Sequence, residues 1–256
     1  MNSAHSFGEI YMPRKSRVFA SGLLVCCTTL ALASGSFAAD CAPRDLDFGQ
    51  KAIGWVHQPL SKLKRDTVYT LVQEDGRTVL RGAADRAASL YVASLKPPQA
   101  MSAILSWRWK TDALVPGADN RKKELEDAPL RVLIAFDGDR SKLPEVEQKR
   151  FNRAKTLSGR EPPYAVLMYI WSEQVAVGTV IPSVHTSQVK MLVVASGSGG
   201  LGQWQSLSRN VAEDYRRAYG ADPGRLLGVA VMTDTDNTGA AATGLYADIR
   251  LECPGK

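Results

Sequence analysis

The sequence predicts an all-β chain folded as a β-sandwich, jelly-roll-like, with one or two short surface helices. Three observations predict it. About ten short segments carry strand-like apolar patterning and are punctuated by Pro, Gly and Asp/Asn turns. Only two stretches have helical character, too few for a doubly wound sheet. No self-similarity occurs at the periods of propellers or solenoids. At 256 residues the chain suits one large all-β domain, and 45% hydrophobic with 23% charged residues excludes wholesale disorder.

The first segment reads as an export signal. Arg14, Lys15 and Arg17 form a basic start, residues 18–32 an apolar run, and Ser36-Phe37-Ala38 a small-x-small cleavage site. We expect cleavage after Ala38, making residues 1–38 a secretory signal peptide and 39–256 a single β-sandwich domain, periplasmic or secreted. The apolar run falls short of the ~20 residues of a membrane span. Asp40 before Cys41 does not suit a lipoprotein site, and no later segment reads as transmembrane. The signal takes Cys26 and Cys27 with it and leaves Cys41 and Cys253. In an oxidising compartment these two are expected to pair rather than stay free, making the first and last strands neighbours.

The net charge of +6 includes Arg14, Lys15 and Arg17 against Glu9, so +4 remains after cleavage. Basic residues gather at 62–65, 121–123 and 149–155, each beside acidic ones, as solvated faces do. Acidic polymers or anionic surfaces suit that charge; nucleic acid does not belong with an exported protein.

After a polar lead-in at 41–45, residues 48–56 form a short apolar segment ending on Trp55. Residues 68–73 and 78–81 flank Glu74-Asp75-Gly76 as a hairpin. Residues 89–95 are a strand that Pro97-Pro98 should stop, because proline cannot donate to a ladder. In 101–110, Met101, Ala103, Leu105, Trp107 and Trp109 share one face; Ser102, Ile104, Ser106, Arg108 and Lys110 share the other. The loop 111–128 is long, polar and charged, a length that often carries function. Residues 129–137 are a nearly continuous apolar strand. Residues 144–155 form a surface helix with Leu143, Val146, Phe151 and Ala154 on its sparse apolar side, and 164–171 a buried strand. Strands follow at 176–180 and 188–195, parted by Pro182, then a Gly/Ser loop at 196–202 and a strand at 203–208. A short helix at 211–219 is ended by Gly220, with Asn210 and Glu213 spaced as a capping box. The chain closes on strand 226–233, the polar turn 234–239 and a last strand from Gly244. There the period is two: Leu245, Ala247, Ile249 and Leu251 point one way, and Tyr246, Asp248, Arg250 and Glu252 the other.

Asp234-Thr235-Asp236-Asn237-Thr238-Gly239 is the densest set of oxygen ligands in the chain. Its spacing matches the start of a calcium loop, but the twelfth position is Leu245, so it is no EF-hand. The candidate metal ligands are Asp234, Asp236 and Thr238, and calcium is the cation such hard oxygens suit. An Asx-stabilised turn accounts for the same residues without an ion, and both accounts stay open. Gly197-x-Gly199-x-x-Gly202 matches a dinucleotide fingerprint in letters only. Gln203-Trp204-Gln205-Ser206-Leu207 follows where a helix should open, so it reads as a flexible turn. After export only His57 and His185 remain, with no Gly-x-Ser-x-Gly elbow and no His-Glu-x-x-His helix. Asp137 and Glu173 join Asp234 and Asp236 as glycosidase-type carboxylates only if the fold brings them together. Trp107, Trp109, Tyr169, Trp171 and Trp204 are sugar-stacking platforms or sandwich core; Trp107 and Trp171 read as core and Trp204 as exposed.

Taken in order, several groups of residues resemble one family. They are Trp107-Arg108-Trp109, Arg131-Val132 with Phe136-Asp137, Tyr169-Ile170-Trp171, Arg209-Asn210 with Glu213-Asp214-Tyr215, and Asp234-Thr235-Asp236-Asn237-Thr238. The family is a set of exported bacterial proteins known as domain-of-unknown-function family 3047. The resemblance covers about 48–251, implies an all-β sandwich-like domain and brings no activity. The closing strand 245–251 is also similar, at the level of fold alone, to that of galactose-binding-like jelly-roll modules.

These residues lead to an exported non-catalytic binding module for a glycan or another cell-envelope component. Its expected ligand site is Asp234, Asp236, Asn237, Trp204 and Arg108, with calcium as the cofactor the hairpin suits. The alternatives are a carboxylate-dependent glycan hydrolase or lyase using Asp137, Glu173, Asp234 or Asp236, and an envelope assembly protein that acts through protein contacts.

Overall fold

Alternating and continuous apolar runs sort the strands into two sheets. The computed structural model describes residues 41–49, 54–99 and 103–253. The expected signal segment 1–38, like Met101 and Ser102, lies outside them. In chain order the strands are β1 (Arg44–Asp45), β2 (Trp55–Pro59), β3 (Val68–Glu74), β4 (Arg77–Asp85), β5 (Ser89–Gln99), β6 (Ile104–Lys110) and β7 (Ala128–Phe136). Helix α1 (Glu145–Ser158) precedes β8 (Ala165–Ser172), β9 (Val180–Pro182), β10 (Val189–Ser196) and β11 (Gln205–Asn210). Helix α2 (Val211–Tyr219), β12 (Leu226–Asp234) and β13 (Ala241–Glu252) complete it.

One sheet runs β11-β6-β13-β4-β3, with β1 added beside β13; the other runs β2-β5-β12-β7-β8-β10-β9. Pairings among these strands are antiparallel except that of β8 with β10. The chain is thus an all-β, jelly-roll-like sandwich with two helices. Between the sheets lie the inward residues of β6, Trp107 and Trp109, against Tyr169 and Trp171 of β8, all at most 1% exposed. Trp107 stacks on Tyr169 with ring centroids 5.1 Å apart, and Trp109 meets Trp171 at 6.4 Å. Burying rings of this size supplies much of the cohesion of the core. Cys41 and Cys253 form a disulfide with Cα atoms 5.7 Å apart, and β1 pairs with the end of β13, so the first and last strands are neighbours.

Helix α2 closes one side of the sandwich. Asn210 Oδ1 accepts from the Glu213 amide at 3.3 Å, and Gly220 at φ 70° ends the helix with its N–H on the Arg216 carbonyl. The buried Asp214 takes a fork from Arg209 and the Tyr169 hydroxyl at 2.9 Å, tying the helix to both sheets. Among the described residues no helix is long and apolar enough to cross a membrane.

Four local expectations change. Strand β5 runs on through Pro97-Pro98, because its partner β12 skips from Gly228 opposite Ser94 to Leu226 opposite Gln99, leaving no ladder for the prolines to break. The strand expected at 176–180 is instead Val180–Pro182: 176–179 forms a turn about Gly178 (φ 87°), and Pro182 is tolerated because β9 is an edge strand. Leu143, just before α1, and Phe151 on it are buried, but Val146 is 56% exposed and Ala154 is exposed too. The inward position goes to Glu147, held by Thr186, Ser187 and Arg150. In β13 the two-residue period breaks at Asp248, whose φ of 53° inserts a bulge opposite β6. Tyr246 therefore points inward before the bulge and Ile249 and Leu251 after it.

Candidate functional site

Antiparallel pairing of β7 with β12 places Ala128 opposite Asp234, so the end of the long loop 111–127 meets the terminal hairpin. Here Asp127, Asp234 and Asp236 each bring one carboxylate oxygen within 4.8 Å of the others. Asp127 is fully buried and organises the turn. Its oxygens accept from the Asn237 amide at 3.2 Å, and from the amide and hydroxyl of Thr238, both at 2.6 Å. Asn237 Nδ2 donates to the Lys123 carbonyl at 2.7 Å. Asp234 Oδ2 pairs with the buried Arg131 guanidinium at 3.0 Å, and Asp236 Oδ2 with Lys64 Nζ at 2.5 Å. The other oxygens, Asp234 Oδ1 and Asp236 Oδ1, are buried and find no donor outside their own pair, and Glu126 Oε2 is buried without a partner.

The electrostatics follow from this division. Burial pushes the Asp234 carboxyl well above its usual range, opposed by Arg131 and reinforced by Asp127 and Asp236. Asp236 goes the other way: burial opposes its ionisation, but Lys64 and the neighbouring Asp234 carboxyl hold it below the usual range.

Sequence reasoning placed Asp234, Asp236, Asn237 and Thr238 in one turn and missed Asp127, Arg131 and Lys64, which complete it. The acidic pair Glu126-Asp127 at a strand start was the available signal, since an antiparallel partner ends beside it. Thr238 positions Asp127 through its hydroxyl. Glu173 lies at this same end of the sheet: the preceding Ser172 donates to Asn120, which donates to the Asp127 carbonyl. Asp137 does not. It follows the opposite end of β7, roughly 30 Å away at about 3.3 Å per residue.

Arg108 and Trp204 stand elsewhere, on the outer face of the six-stranded sheet. Arg108 lies over the Trp204 ring at 4.9 Å and pairs with Asp248 at 3.1 Å. The β3–β4 hairpin turns on Asp75 and Gly76, both at positive φ, and its tip reaches back across this face. Trp204 Nε1 donates to Asp75 at 3.1 Å, Lys110 pairs with Glu74 at 2.5 Å, and Arg77 reaches Asp248 at 3.3 Å. Trp204 belongs to the β11 side of the sheet, so these contacts require the tip to bend over β13 and β6. Beneath it lies a cleft of about 410 Å³ lined by Glu74, Arg81, Lys110, Asp112 and Leu245 among others. The outer face of the seven-stranded sheet carries a larger groove of about 1250 Å³. Its floor is aliphatic, with Leu90, Val92, Leu133, Val166 and Ala230, and its rim carries Lys62, Asp137, Arg140 and Glu161.

Of the predicted aromatic platforms, the four on β6 and β8 are core, and only Trp204 is partly exposed. Two sheets, a polar cleft on one and a carboxylate cluster at the end of the other define a jelly-roll-like β-sandwich with two separate polar sites. The chain belongs to the family described as "Protein of unknown function (DUF3047)", whose pattern matches residues 53–250. No curated protein matches it. Among solved structures it is similar to the family 11 carbohydrate-binding module of cellulosomal cellulase Lic26A-Cel5E of Clostridium thermocellum, at 10% identity and a TM-score of 0.43 over 84% of this chain and 96% of that one. It is also similar to endoglucanase 3 of family GH12 from Trichoderma harzianum, at 9% identity and a TM-score of 0.41 over 87% and 100%. A family 30 carbohydrate-binding module is similar at 9% and 0.37 over 73% and 83%. At these values the likenesses carry no argument about ligands, which must be read from the residues of this chain.

Proposed function

We propose that the chain is an exported, non-catalytic binding module whose ligand is a glycan or another polar component of the cell envelope. The observation that supports it is the cleft under the β3–β4 hairpin. Glu74, Arg81, Lys110 and Asp112 present donors and acceptors of both signs around Leu245 and Val72, with Trp204 and Arg108 beside them. An apolar patch framed by hydrogen-bonding groups is how a sheet face holds a sugar ring and its hydroxyls. In this reading the hairpin 234–239 is a second polar element that takes calcium or a ligand hydroxyl.

The test is a panel of cell-wall and exopolysaccharide fragments against the oxidised protein and its Trp204→Ala and Lys110→Ala variants. Binding to at least one fragment, weakened roughly tenfold in each variant, is expected. No binding across the panel, or binding indifferent to both changes, overturns the reading. One observation favours the second reading, a glycan hydrolase or lyase: Asp234 and Asp236 bring carboxylate oxygens within 4.8 Å of each other, as a pair of acid and base partners requires. Turnover of any fragment, abolished by Asp236→Asn, selects it.

A further inference from the structure

We propose that Asp127, Asp234 and Asp236 together hold one calcium ion, bridging the loop 111–127 to the terminal hairpin. This rests on the hairpin part of the proposed function, takes it one step further, and is independent of the cleft under the β3–β4 tip.

Convergence comes first. One oxygen from each carboxylate lies within 4.8 Å of the others, a span that two Ca–O bonds of about 2.4 Å cover. The second observation concerns what the two clustered oxygens are given as partners. The Asp234 side chain is only 6% exposed, yet its Oδ1 finds no donor outside the Asp234–Asp236 pair, and neither does Asp236 Oδ1. A buried carboxylate oxygen left unpaired is costly, and here two of them sit in one cluster. In both residues Oδ2 meets a cationic side chain while Oδ1 is left over.

Charge points the same way. Glu126, Asp127, Asp234 and Asp236 supply four carboxylates, and among the described residues the ion pairs that reach them come from Arg131 and Lys64 alone. Two cations against four anions leave a deficit that one divalent ion fills. The ligands are hard oxygens with no sulfur or imidazole among them, which selects calcium over zinc. The site is also prepared in advance. Thr238 and Asn237 fix Asp127 from the hairpin side, and Asn120 holds the Asp127 carbonyl at 2.9 Å from the loop side. Lys64, 41% exposed, sits on Asp236 as a counter-charge that competes with the ion.

The experiment is isothermal titration of the chelator-stripped, oxidised protein with calcium chloride, then magnesium chloride, with thermal unfolding in parallel. One calcium per chain is expected, with magnesium weaker. Asp236→Asn should weaken calcium roughly tenfold, whereas Lys64→Met, which removes the competing charge, should tighten it several-fold. No heat and no shift in midpoint up to about 10 mM calcium overturns the proposal. So does a response that Asp236→Asn leaves unchanged, or an acid-dependent midpoint indifferent to calcium, which would mean that Asp234 and Asp236 share a proton instead. Should Asp236→Asn fail to fold by circular dichroism, the Lys64→Met arm decides: affinity that does not rise refutes the site. Glycan binding is scored separately, so a failed cleft and a failed ion site give different results.

Discussion

Opening the Cys41–Cys253 bridge is the perturbation whose size follows most directly from the architecture. The two cysteines are 212 residues apart in sequence, so the disulfide closes nearly the whole described chain into one loop. In the chain-entropy account a loop of that length restricts the unfolded state by about 5 kcal/mol, an upper figure. The folded state is expected to change little on reduction. β1 stays paired with β13, the Leu46 amide donates to the Ile249 carbonyl at 2.9 Å, and Trp55 Nε1 donates to the Leu46 carbonyl at 2.9 Å. The loss therefore falls on the unfolded side. For a chain of this size each kcal/mol moves the midpoint by about 2–4 °C, so the expected fall is about 10–20 °C. Calorimetry of the Cys41→Ser/Cys253→Ser variant beside the oxidised parent measures it. A fall under about 3 °C would refute the entropic reasoning. Loss of the near-ultraviolet dichroism of the tryptophan core in the variant would refute the claim that the folded state is spared.

Further outcomes follow from single side chains. Gly244→Ala puts a Cβ 2.7 Å from both the Pro129 carbonyl and Leu130 Cδ2, and 2.8 Å from Thr233 Oγ1, a close approach of the two sheets. It should cost about 1–3 kcal/mol in urea unfolding, and a neutral result would mean that β13 can retreat. Glu147 is held below its usual carboxyl value: burial works against this, but Thr186, Ser187 and Arg150 prevail. The unfolded chain then takes up the proton more readily, so this stability is present above the ordinary value of 4.5 and lost as pH falls through the folded one. Glu147→Gln should flatten that acid limb of the midpoint-versus-pH curve, and an unaltered limb contradicts the assignment. Tyr169→Phe removes the hydroxyl on buried Asp214 and should cost about 1–2 kcal/mol without changing the fold, as two-dimensional NMR of the amides would report.

Much of the fold was legible because one periodicity dominates each strand. The alternation of β6 put Trp107 and Trp109 on one face, the capping residues bounded α2, and the cysteine positions foretold the clasp of first and last strands. The misplaced elements share a cause: a backbone feature without its own pattern in the residue string. Asp248 adopts positive φ without being glycine, and that one residue reverses the facing of everything before it in β13. Pro97-Pro98 looked like a stop only because strand partners, and hence gaps in a ladder, do not show in a single segment. The site was half legible for the same reason. Asp234 and Asp236 announce themselves two apart, whereas Asp127, Arg131 and Lys64 arrive through strand pairing and loop packing across more than a hundred residues.

The bulge at Asp248 has a mechanical consequence for the cleft. β4 is supported laterally by β13 only from Leu80 to Asp85; beyond the bulge β13 turns to β1. The hairpin from Val72 to Val79 is therefore a cantilever, clamped at one end and resting its free end on side-chain ion pairs with Lys110 and Asp248 and on Trp204. Struts of that kind weaken as ionic strength rises, while the clamp, made of backbone hydrogen bonds, does not. The tip of the hairpin is thus expected to loosen as salt rises while its clamped end stays in place.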